Sequence, residues 1–346
     1  MIDKRIWLLA LLAIPCCFLM GQAHSSNVPI TGQWTLELRP DSRVEFGIQR
    51  HWAGHNEYSS SDDYDLTDFR GLTRAQIETG GTVRFEMLRD AGTLACEGVF
   101  RAGGGGGTFT FSPSADYVAA LQALGYRGLD AERLFELAVH NVSRAYIREL
   151  DELGYHHLPL DQLVALRIHG VSIAYIRELR GLGYNLQPDE LVQLRIHGVT
   201  TGFAAAMKNS GYGTVPADQL VQLQIHGVTT AYMQGFRDMG YPRIPVDDLV
   251  QLRIHGVTTE FVNQLRSMGY GRAGISGLIQ LQIHGVSAGF IRDLQSLGYK
   301  NVPLDELVQL RIHGVTTAMI QRLQAAGYKD LSTDQLVQLK IHGVVE

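Results

Sequence analysis

Residues 307–314 read Leu-Val-Gln-Leu-Arg-Ile-His-Gly, and copies of this sequence set the architecture of the larger part of the chain. Its apolar residues recur at the spacing of a buried helix face. Asp305 and Glu306 precede it and favour a helix start, because carboxylates oppose the positive end of the helix dipole. His313 stands in the last turn and Gly314 follows, which is typical of a helix stop. The stretch therefore predicts a short helix, called helix A.

A second helix, called helix B, is predicted after a short turn. Thr316 and Thr317 precede it, and Thr is a preferred N-cap residue. Its apolar residues cover only about 120° of the helical wheel, which is the pattern of a helix covered on one side. Gly327-Tyr328 ends it. In the final copy, Ser332 and Gln335 form a capping box ahead of helix A.

This helix pair recurs along the second half of the chain. His-Gly-Val, or His-Asn-Val in the first copy, recurs every 28 or 29 residues at His140, His169, His197, His226, His255, His284, His313 and His342. Gly-Tyr recurs in step with it. A fixed period between 20 and 50 residues indicates a solenoid. We predict an α+β fold, with a small antiparallel β domain followed by an α-solenoid of about eight two-helix repeats over residues 113–346.

The helical wheel suggests which side of helix A binds a partner. With Leu307 at 0°, Val308, Leu310 and Ile312 complete an apolar arc of about 200° that is predicted to be buried. A polar strip remains. We assign it as the candidate binding face, because extended repeat surfaces bind partners. Its residues are Gln193, His197, Gln222, His226, Gln251, His255, Gln280, His284, Gln309 and His313.

One column of residues conflicts with this wheel. A position at about 40°, inside the apolar arc, is held by Arg195, Gln224, Arg253, Gln282, Arg311 and Lys340. We predict that each Arg extends along its helix toward an acidic residue of a neighbouring unit. The alternation with Gln would keep like charges from stacking in adjacent layers.

The histidine column allows three interpretations. Each His caps the last carbonyls of helix A or bonds across the layers, or the column is a pH-sensitive packing element, or it is a ladder of metal sites. Ligands of one zinc ion lie within about 4 Å of each other, whereas helices pack about 8–10 Å apart. The spacing therefore favours the structural role, and we predict no metal site.

The first half of the chain has the signature of a sheet. Alternating apolar residues predict strands at Trp34–Leu38, Val44–Ile48 and Val83–Met87, and two more at 94–100 and 108–111. We predict a β-rich domain over residues 32–112, with Cys96 in its core and Gly103–Gly107 as a hairpin loop. The polar region around His51–Asp65 is predicted to be a solvated loop, with a cation site as the alternative.

The first residues have the three-part pattern of a secretory signal peptide. Lys4 and Arg5 precede the apolar run Ile6–Met20, and Gly21-Gln22-Ala23 supplies small residues for cleavage. We predict a signal peptide over residues 1–23, a linker over 24–31 and a periplasmic or secreted chain with no transmembrane segment after cleavage. The alternatives are an uncleaved N-terminal anchor and lipoprotein processing at Cys16 or Cys17.

Charge and motifs exclude several classes of function. The chain has 30 Lys+Arg and 35 Asp+Glu, for a net charge of −5, which argues against a protein whose main function is to bind nucleic-acid phosphates. It contains no H-E-x-x-H, G-x-S-x-G or C-x-x-C motif. We therefore predict no nucleic-acid partner, no cofactor and no enzymatic activity. An enzyme that uses the His51–Asp65 region is the alternative.

A family resemblance adds to this interpretation. It is carried by Gly32-x-Trp34-x-Leu36, then the stretch Arg89–Gly98, then the Gly-rich segment with Phe109-x-Phe111, and finally the L-V-x-L-R-I-H-G-V units. In this order they resemble the C-terminal extracytoplasmic region of some bacterial BlaR/MecR-type membrane metallopeptidases, over about residues 30–346. The zinc motif of that peptidase is missing here. The resemblance implies a periplasmic sensing or interaction role without proteolysis.

Two functional hypotheses follow. The first is a non-catalytic scaffold that binds a protein, peptide or envelope component along the solenoid face. The second is a structural envelope protein that assembles with itself end to end, since the units are near-identical and Val344-Val345-Glu346 supplies no polar capping helix.

Overall fold

The structure is a computed structural model that describes residues 29–41, 43–51 and 57–344. The predicted signal peptide, Cys16, Cys17 and His55 lie outside these residues. The described chain divides into two compact units, one that ends at Arg144 and one that begins at Ala145.

The first unit contains seven strands, which are β1 at Ile30–Leu38, β2 at Arg43–His51, β3 at Glu57–Asp65, β4 at Phe69–Arg70, β5 at Gly81–Arg89, β6 at Gly92–Arg101 and β7 at Gly104–Pro113. They form a curled antiparallel sheet in the order β3-β2-β1-β7-β6-β5-β4. A short helix, α1 at Arg74–Thr79, follows β4 and is closed at its start by a capping box from Thr73.

Aromatic rings from alternate strand positions fill the core of this sheet. Trp34 lies edge-on to Phe85 with ring centroids 4.9 Å apart, and Phe46 and Phe100 surround it. The Trp34 indole donates a hydrogen bond to the carbonyl of Glu97 at 3.1 Å, so its one polar atom is satisfied inside the core. Cys96 is buried as predicted, and burial raises the pKa of its thiol to about 12.

The predicted hairpin loop at Gly103–Gly107 is wrong. The turn is confined to Ala102 and Gly103, and Gly104–Gly107 begin strand β7. A Cβ on Gly107 would lie 2.0 Å from the carbonyl oxygen of Glu97, and one on Gly105 would lie 2.4 Å from the ring of Phe100. Gly105 and Gly107 are therefore needed, because a larger residue would collide with the Phe100 ring or with the backbone of the neighbouring strand β6.

The predicted loop at Tyr58–Asp65 is also wrong, because these residues form most of the edge strand β3, paired with β2. Ser and Asp are depleted in strands, so the residue types of this segment did not predict a strand. Tyr64 joins the strand to the core, with its ring edge-on to Phe46 at 6.1 Å. The exposed Ser59, Ser61 and Asp63 face outward, and polar edge residues protect a sheet from pairing with other chains.

Two helices, α2 at Ala115–Ala123 and α3 at Ala131–Val139, complete the first unit. Phe135 of α3 stacks on Phe109 at 5.7 Å and lies edge-on to Phe111 at 5.5 Å, so the helix covers the sheet core. The hydroxyl of Tyr117 donates to the carbonyl of Val142 at 2.7 Å.

The second unit is a stack of helix pairs, which confirms the predicted α+β fold with a helical solenoid. Each helix A contacts the next helix A, and from α6 onward each helix B contacts the next helix B. Helices B are α4 at Arg144–Glu152, α6 at Ile173–Gly181, α8 at Thr201–Met207, α10 at Thr230–Asp238, α12 at Thr259–Ser267, α14 at Ala288–Ser296 and α16 at Thr317–Ala325. Helices A are α5 at Leu160–Ile168, α7 at Pro188–Ile196, α9 at Ala217–Ile225, α11 at Val246–Ile254, α13 at Ile275–Ile283, α15 at Leu304–Ile312 and α17 at Thr333–Ile341.

The His-Gly-Val tripeptide is a helix-ending motif. His313 is the C-cap of α15, and Gly314 has the left-handed φ of 70° that glycine adopts without strain. The amide of Gly314 donates to the carbonyl of Arg311, and the amide of Val315 donates to that of Leu310, which is a Schellman motif. Val315 is fully buried. The repeat that defines the period is therefore required by backbone geometry.

The other predicted helix boundaries are confirmed. The Thr316 hydroxyl accepts a hydrogen bond from the amide of Met319 at the start of α16. Ser332 and Gln335 form the predicted capping box of α17. Gly-Tyr ends helix B by the same motif that ends helix A, as in Gly298-Tyr299, where the Tyr amide donates to the carbonyl of Leu294.

A glycine exchange in β7 tests the close packing of the sheet. Gly107→Ala should destabilise the first unit by about 1–3 kcal/mol, because its Cβ has no room beside Glu97. Gly104→Ala is the matched control, since its Cβ would meet only the Glu37 side chain, at 3.7 Å. Thermal unfolding followed by circular dichroism compares them. Equal melting temperatures for the two variants would contradict this packing.

Candidate binding face of the helix array

The ten predicted site residues lie on successive helices A, from α7 to α15. The glutamines Gln193, Gln222, Gln251, Gln280 and Gln309 are exposed. The histidines His197, His226, His255, His284 and His313 are half-buried C-cap residues. Because Gln and His are four residues apart, they share one side of each helix. Contacts between consecutive helices A bring them together as two columns.

A third column on this side is apolar, which corrects the wheel prediction for Ile312. The position is between 46% and 54% exposed in every helix A of the second unit: Ile168, Ile196, Ile225, Ile254, Ile283, Ile312 and Ile341. The reason lies in the helix ending. Leu310 and Val315 are fully buried and fill the core at this level, so the isoleucine remains at the surface.

A fourth column is acidic. Its members stand four residues before the Gln position and are exposed: Asp161, Asp189, Asp218, Asp247, Asp305 and Asp334, with Ser276 in α13. Each lies in the first turn of its helix, where a carboxylate opposes the positive end of the dipole. The Asp, Gln, Ile and His columns together are called the helix A face.

A depression of about 370 Å³ lies on this face between α7 and α9. Asp189, Glu190 and Asp218 line it, together with Gln193, Gln222, Ala217 and Val221. One wall is held in place, since the Asp189 carboxylate accepts a hydrogen bond from Gln162 at 2.8 Å. The depression therefore combines negative charge with amide and apolar surface.

The sequence predicted that the Arg side chains of this column extend toward acidic residues, and this prediction is wrong. Arg195 lies over the ring of Tyr175, 5.2 Å from its centroid, and its Nε donates to the carbonyl of His169 at 3.3 Å. Arg253 repeats this arrangement on Tyr232 and the carbonyl of His226. The side chain thus lies between layers, where the ring and an unpaired helix-end carbonyl both favour a cation.

Glutamine takes over part of this role where it replaces Arg. The Gln224 amide donates to the carbonyl of Gly198 at 3.1 Å, so it also reaches the C-terminal end of the preceding helix A. The alternation therefore exchanges two side chains that can donate to the same kind of acceptor.

Helix B carries an equivalent column, which the helical wheel of helix A did not predict. In each layer, a side chain near its end donates to a carbonyl at the end of the preceding helix B. The donors are Arg180, Lys208, Arg237, Arg266, Gln295 and Gln324. These residues recur with the same period of 28 or 29, so the period itself could have identified them.

Tyrosine hydroxyls add a third kind of bond between layers. In helix B, Tyr146, Tyr175 and Tyr232 donate to the carbonyls of Val171, Val199 and Val257 at 2.7–2.8 Å. Burial raises the pKa of Tyr175 and Tyr232 to about 12, although the nearby guanidinium of Arg195 or Arg253 opposes the shift. The hydroxyls therefore stay protonated donors at neutral pH.

At the ends of helices A, the carbonyls of His169, Gly198, His226 and Gly285 accept hydrogen bonds from Arg or Gln side chains of the next layer. In the described part of the chain, no group of three or more His, Cys, Asp or Glu side chains could hold a metal ion. The acidic residues of the alternative cation site, Asp62, Asp63 and Asp65, lie along strand β3. Among the same described residues, no helix is long and apolar enough to cross a membrane.

The fold and the helix A face define a helical repeat protein in which a sheet domain precedes the repeats in the sequence. No protein-family model matches the chain, and searches of curated proteins and solved structures find no match. The resemblance to BlaR/MecR-type metallopeptidases therefore stays a prediction.

The Arg column can be tested with a control that the chain itself supplies. Arg195→Ala should lower the free energy of unfolding by about 1 kcal/mol, because the Tyr175 ring and the His169 carbonyl both lose a partner. Arg195→Gln should cost less, since Gln224 makes the equivalent bond naturally. Urea unfolding followed by circular dichroism measures both. If the Gln variant is as unstable as the Ala variant, the carbonyl bond contributes nothing.

Proposed function

We propose that the protein is a non-catalytic scaffold of the periplasm or the secreted space, which binds a protein, peptide or envelope ligand along the helix A face. One observation carries this proposal. Seven isoleucines are about half exposed at the same position of consecutive layers, beside a column of exposed glutamines in six of these layers. A repeated, contiguous surface of this kind is what solenoid proteins use for binding.

The energetics favour an interaction role over a folding role for this face. Fully burying an isoleucine side chain contributes about 1.5–3 kcal/mol, and roughly half of that remains available on each of these residues. A partner that covers several layers would gain the free energy of burying these isoleucines without rearranging the array. The glutamines add hydrogen-bond donors and acceptors on an apolar surface, which is the usual combination in binding sites.

The resemblance to the extracytoplasmic part of BlaR/MecR-type proteins supports the sensing form of this proposal. In such proteins a region outside the membrane would report a ligand to the remainder of the molecule. This chain contains no H-E-x-x-H zinc motif. The proposed role is therefore ligand binding without peptide cleavage.

A peptide-display selection tests the binding face. Peptides enriched on the unmodified protein should bind the double variant Gln251→Lys, Gln280→Lys at least tenfold more weakly, because two long charged side chains would cover the isoleucine column. Binding is measured by fluorescence anisotropy. Both positions are exposed, so the circular-dichroism melting curve should not change.

The matched control is Asn263→Lys with Gln321→Lys. It adds the same charge at exposed positions of helices B, and it should leave peptide binding unchanged. Equal weakening by both double variants would show that the face is not the binding surface. Loss of the folded array on changing Gln251, Gln280 or His255 would likewise contradict the assignment.

Self-assembly is a second candidate function, and one observation favours it. In α15 the side chains of Val308 and Leu310 are buried, whereas their equivalents Val337 and Leu339 in α17 are only half-buried. A second copy could cover this side of α17, as the next layer covers α15. We propose this side of α17 as the contact surface of an end-to-end assembly.

Assembly is tested by light scattering coupled to size-exclusion chromatography over a range of protein concentrations. The mass should increase with concentration, and Val337→Lys with Leu339→Lys should keep the protein a monomer, because two charges would have to be buried at the contact. The control, Asn263→Lys with Gln321→Lys, should not alter assembly. A constant monomer mass at high concentration would contradict the proposal.

A further inference from the structure

The helix A face has the chemistry to select one kind of partner. In α7, α9, α11, α15 and α17, Gln stands four residues after Asp and Ile three residues after Gln, so the three side chains succeed one another along the helix over about 10 Å. The helix α5 has Ala165 at the Gln position, and α13 has Ser276 at the Asp position. Across the layers they form an acidic, an amide and an apolar column. A ligand that runs along the array therefore meets negative charge on one flank and hydrocarbon on the other.

The three columns that such a ligand would meet carry no basic side chain. The second unit contains nearly equal numbers of acidic and basic residues, yet the Asp, Gln and Ile positions include no Lys or Arg. The Arg side chains of helix A point between layers, toward rings and helix-end carbonyls. The charged side chains of these three columns are therefore all carboxylates.

We infer that this face binds an extended peptide segment in which cationic and apolar side chains alternate along the chain. This inference rests on the proposed function and specifies the partner. The cationic side chains meet the Asp column, the apolar ones meet the Ile column, and the backbone lies over the glutamines. A glutamine amide can both donate to and accept from a peptide group, so the middle column suits a backbone.

The layer spacing sets the period of such a segment. Packed helices lie about 8–10 Å apart, and three residues of a polyproline II segment advance about 9 Å. Side chains three residues apart therefore point the same way and meet equivalent positions of successive layers. The partner sequence that fits best has one cationic and one apolar residue in every three.

The depression between α7 and α9 provides a place for one of these side chains. Its walls hold Asp189, Glu190 and Asp218, while Val221 contributes apolar surface. A lysine or arginine side chain has an apolar stem and a charged end, and it matches both kinds of wall. An acidic side chain would meet three carboxylates there.

Three synthetic peptides, each labelled with a fluorophore, test the inference. The first repeats Lys-Pro-Leu five times, the second replaces each Lys by Glu, and the third replaces each Leu by Ser. Fluorescence anisotropy with the full chain should give at least tenfold tighter binding for the first peptide than for either of the others. Affinities within threefold of one another would overturn the inference.

Variants of the protein locate the bound peptide. The triple change Asp189→Asn, Asp218→Asn, Asp247→Asn should weaken binding of the Lys-Pro-Leu peptide at least tenfold, and Ile225→Ser with Ile254→Ser should do the same. The matched control, Asp238→Asn, Asp293→Asn and Asp330→Asn, removes three exposed carboxylates outside helices A and should change the affinity less than twofold. Equal losses in the triple variant and its control would overturn the inference.

The failure of this inference differs from the failure of the proposed function. Suppose that the displayed peptides depend on Gln251 and Gln280 but are acidic or uncharged, and that Lys-Pro-Leu does not bind. The face then remains the binding surface and only the partner chemistry is wrong. If no displayed peptide depends on the face, the proposed function falls as well.

Discussion

The structure depends on hydrogen bonds from side chains of one layer to the helix-end carbonyls of the layer before it. Helices of nine residues are too short to be stable alone, and each leaves four carbonyls without a partner inside the helix. Arg195 and Gln224 supply donors along the helix A column, and Arg237 and Arg266 do so along the helix B column. The helices that precede these donors are thus completed by the next layer, so the layers stabilise one another as a sequence of nearest-neighbour contacts.

This constraint explains why an arginine is tolerated inside an apolar arc. The guanidinium of Arg195 donates to the His169 carbonyl of the preceding layer while its central carbon lies over the ring of Tyr175. The same tyrosine donates its hydroxyl to Val199, one layer on. A single aromatic residue of helix B therefore contacts both a side chain and the backbone of the next unit. Loss of either partner would leave a polar group of the interface without its bond, which costs about 1–3 kcal/mol.

The sequence predicted those parts of the fold that follow from local geometry. The left-handed Gly314, the Thr316 N-cap and the helix period are properties of a few neighbouring residues, and they are visible without a structure. The exposed Ile312 was missed because a wheel cannot show that Val315, beyond the end of the helix, fills the core instead. The strand at Gly104–Gly107 was missed for a related reason, since only the position of Phe100 and Glu97 requires glycine there. The Gln and His columns were visible in the sequence, but the apolar column between them was not.

The contacts between layers determine which positions of helix A are needed for stacking and which remain exposed. The positions of Leu310, Arg311 and the fully buried Val315 are needed by the neighbouring layers, so they must recur whatever the protein binds. The positions of Gln309 and Ile312 are exposed, and the stacking contacts do not require a large apolar side chain there. A half-exposed isoleucine costs hydration free energy in every layer. Its recurrence at one position from α5 to α17 therefore supports the proposal that a partner covers this surface, and a surface that repeats from layer to layer suits a partner that is itself repetitive.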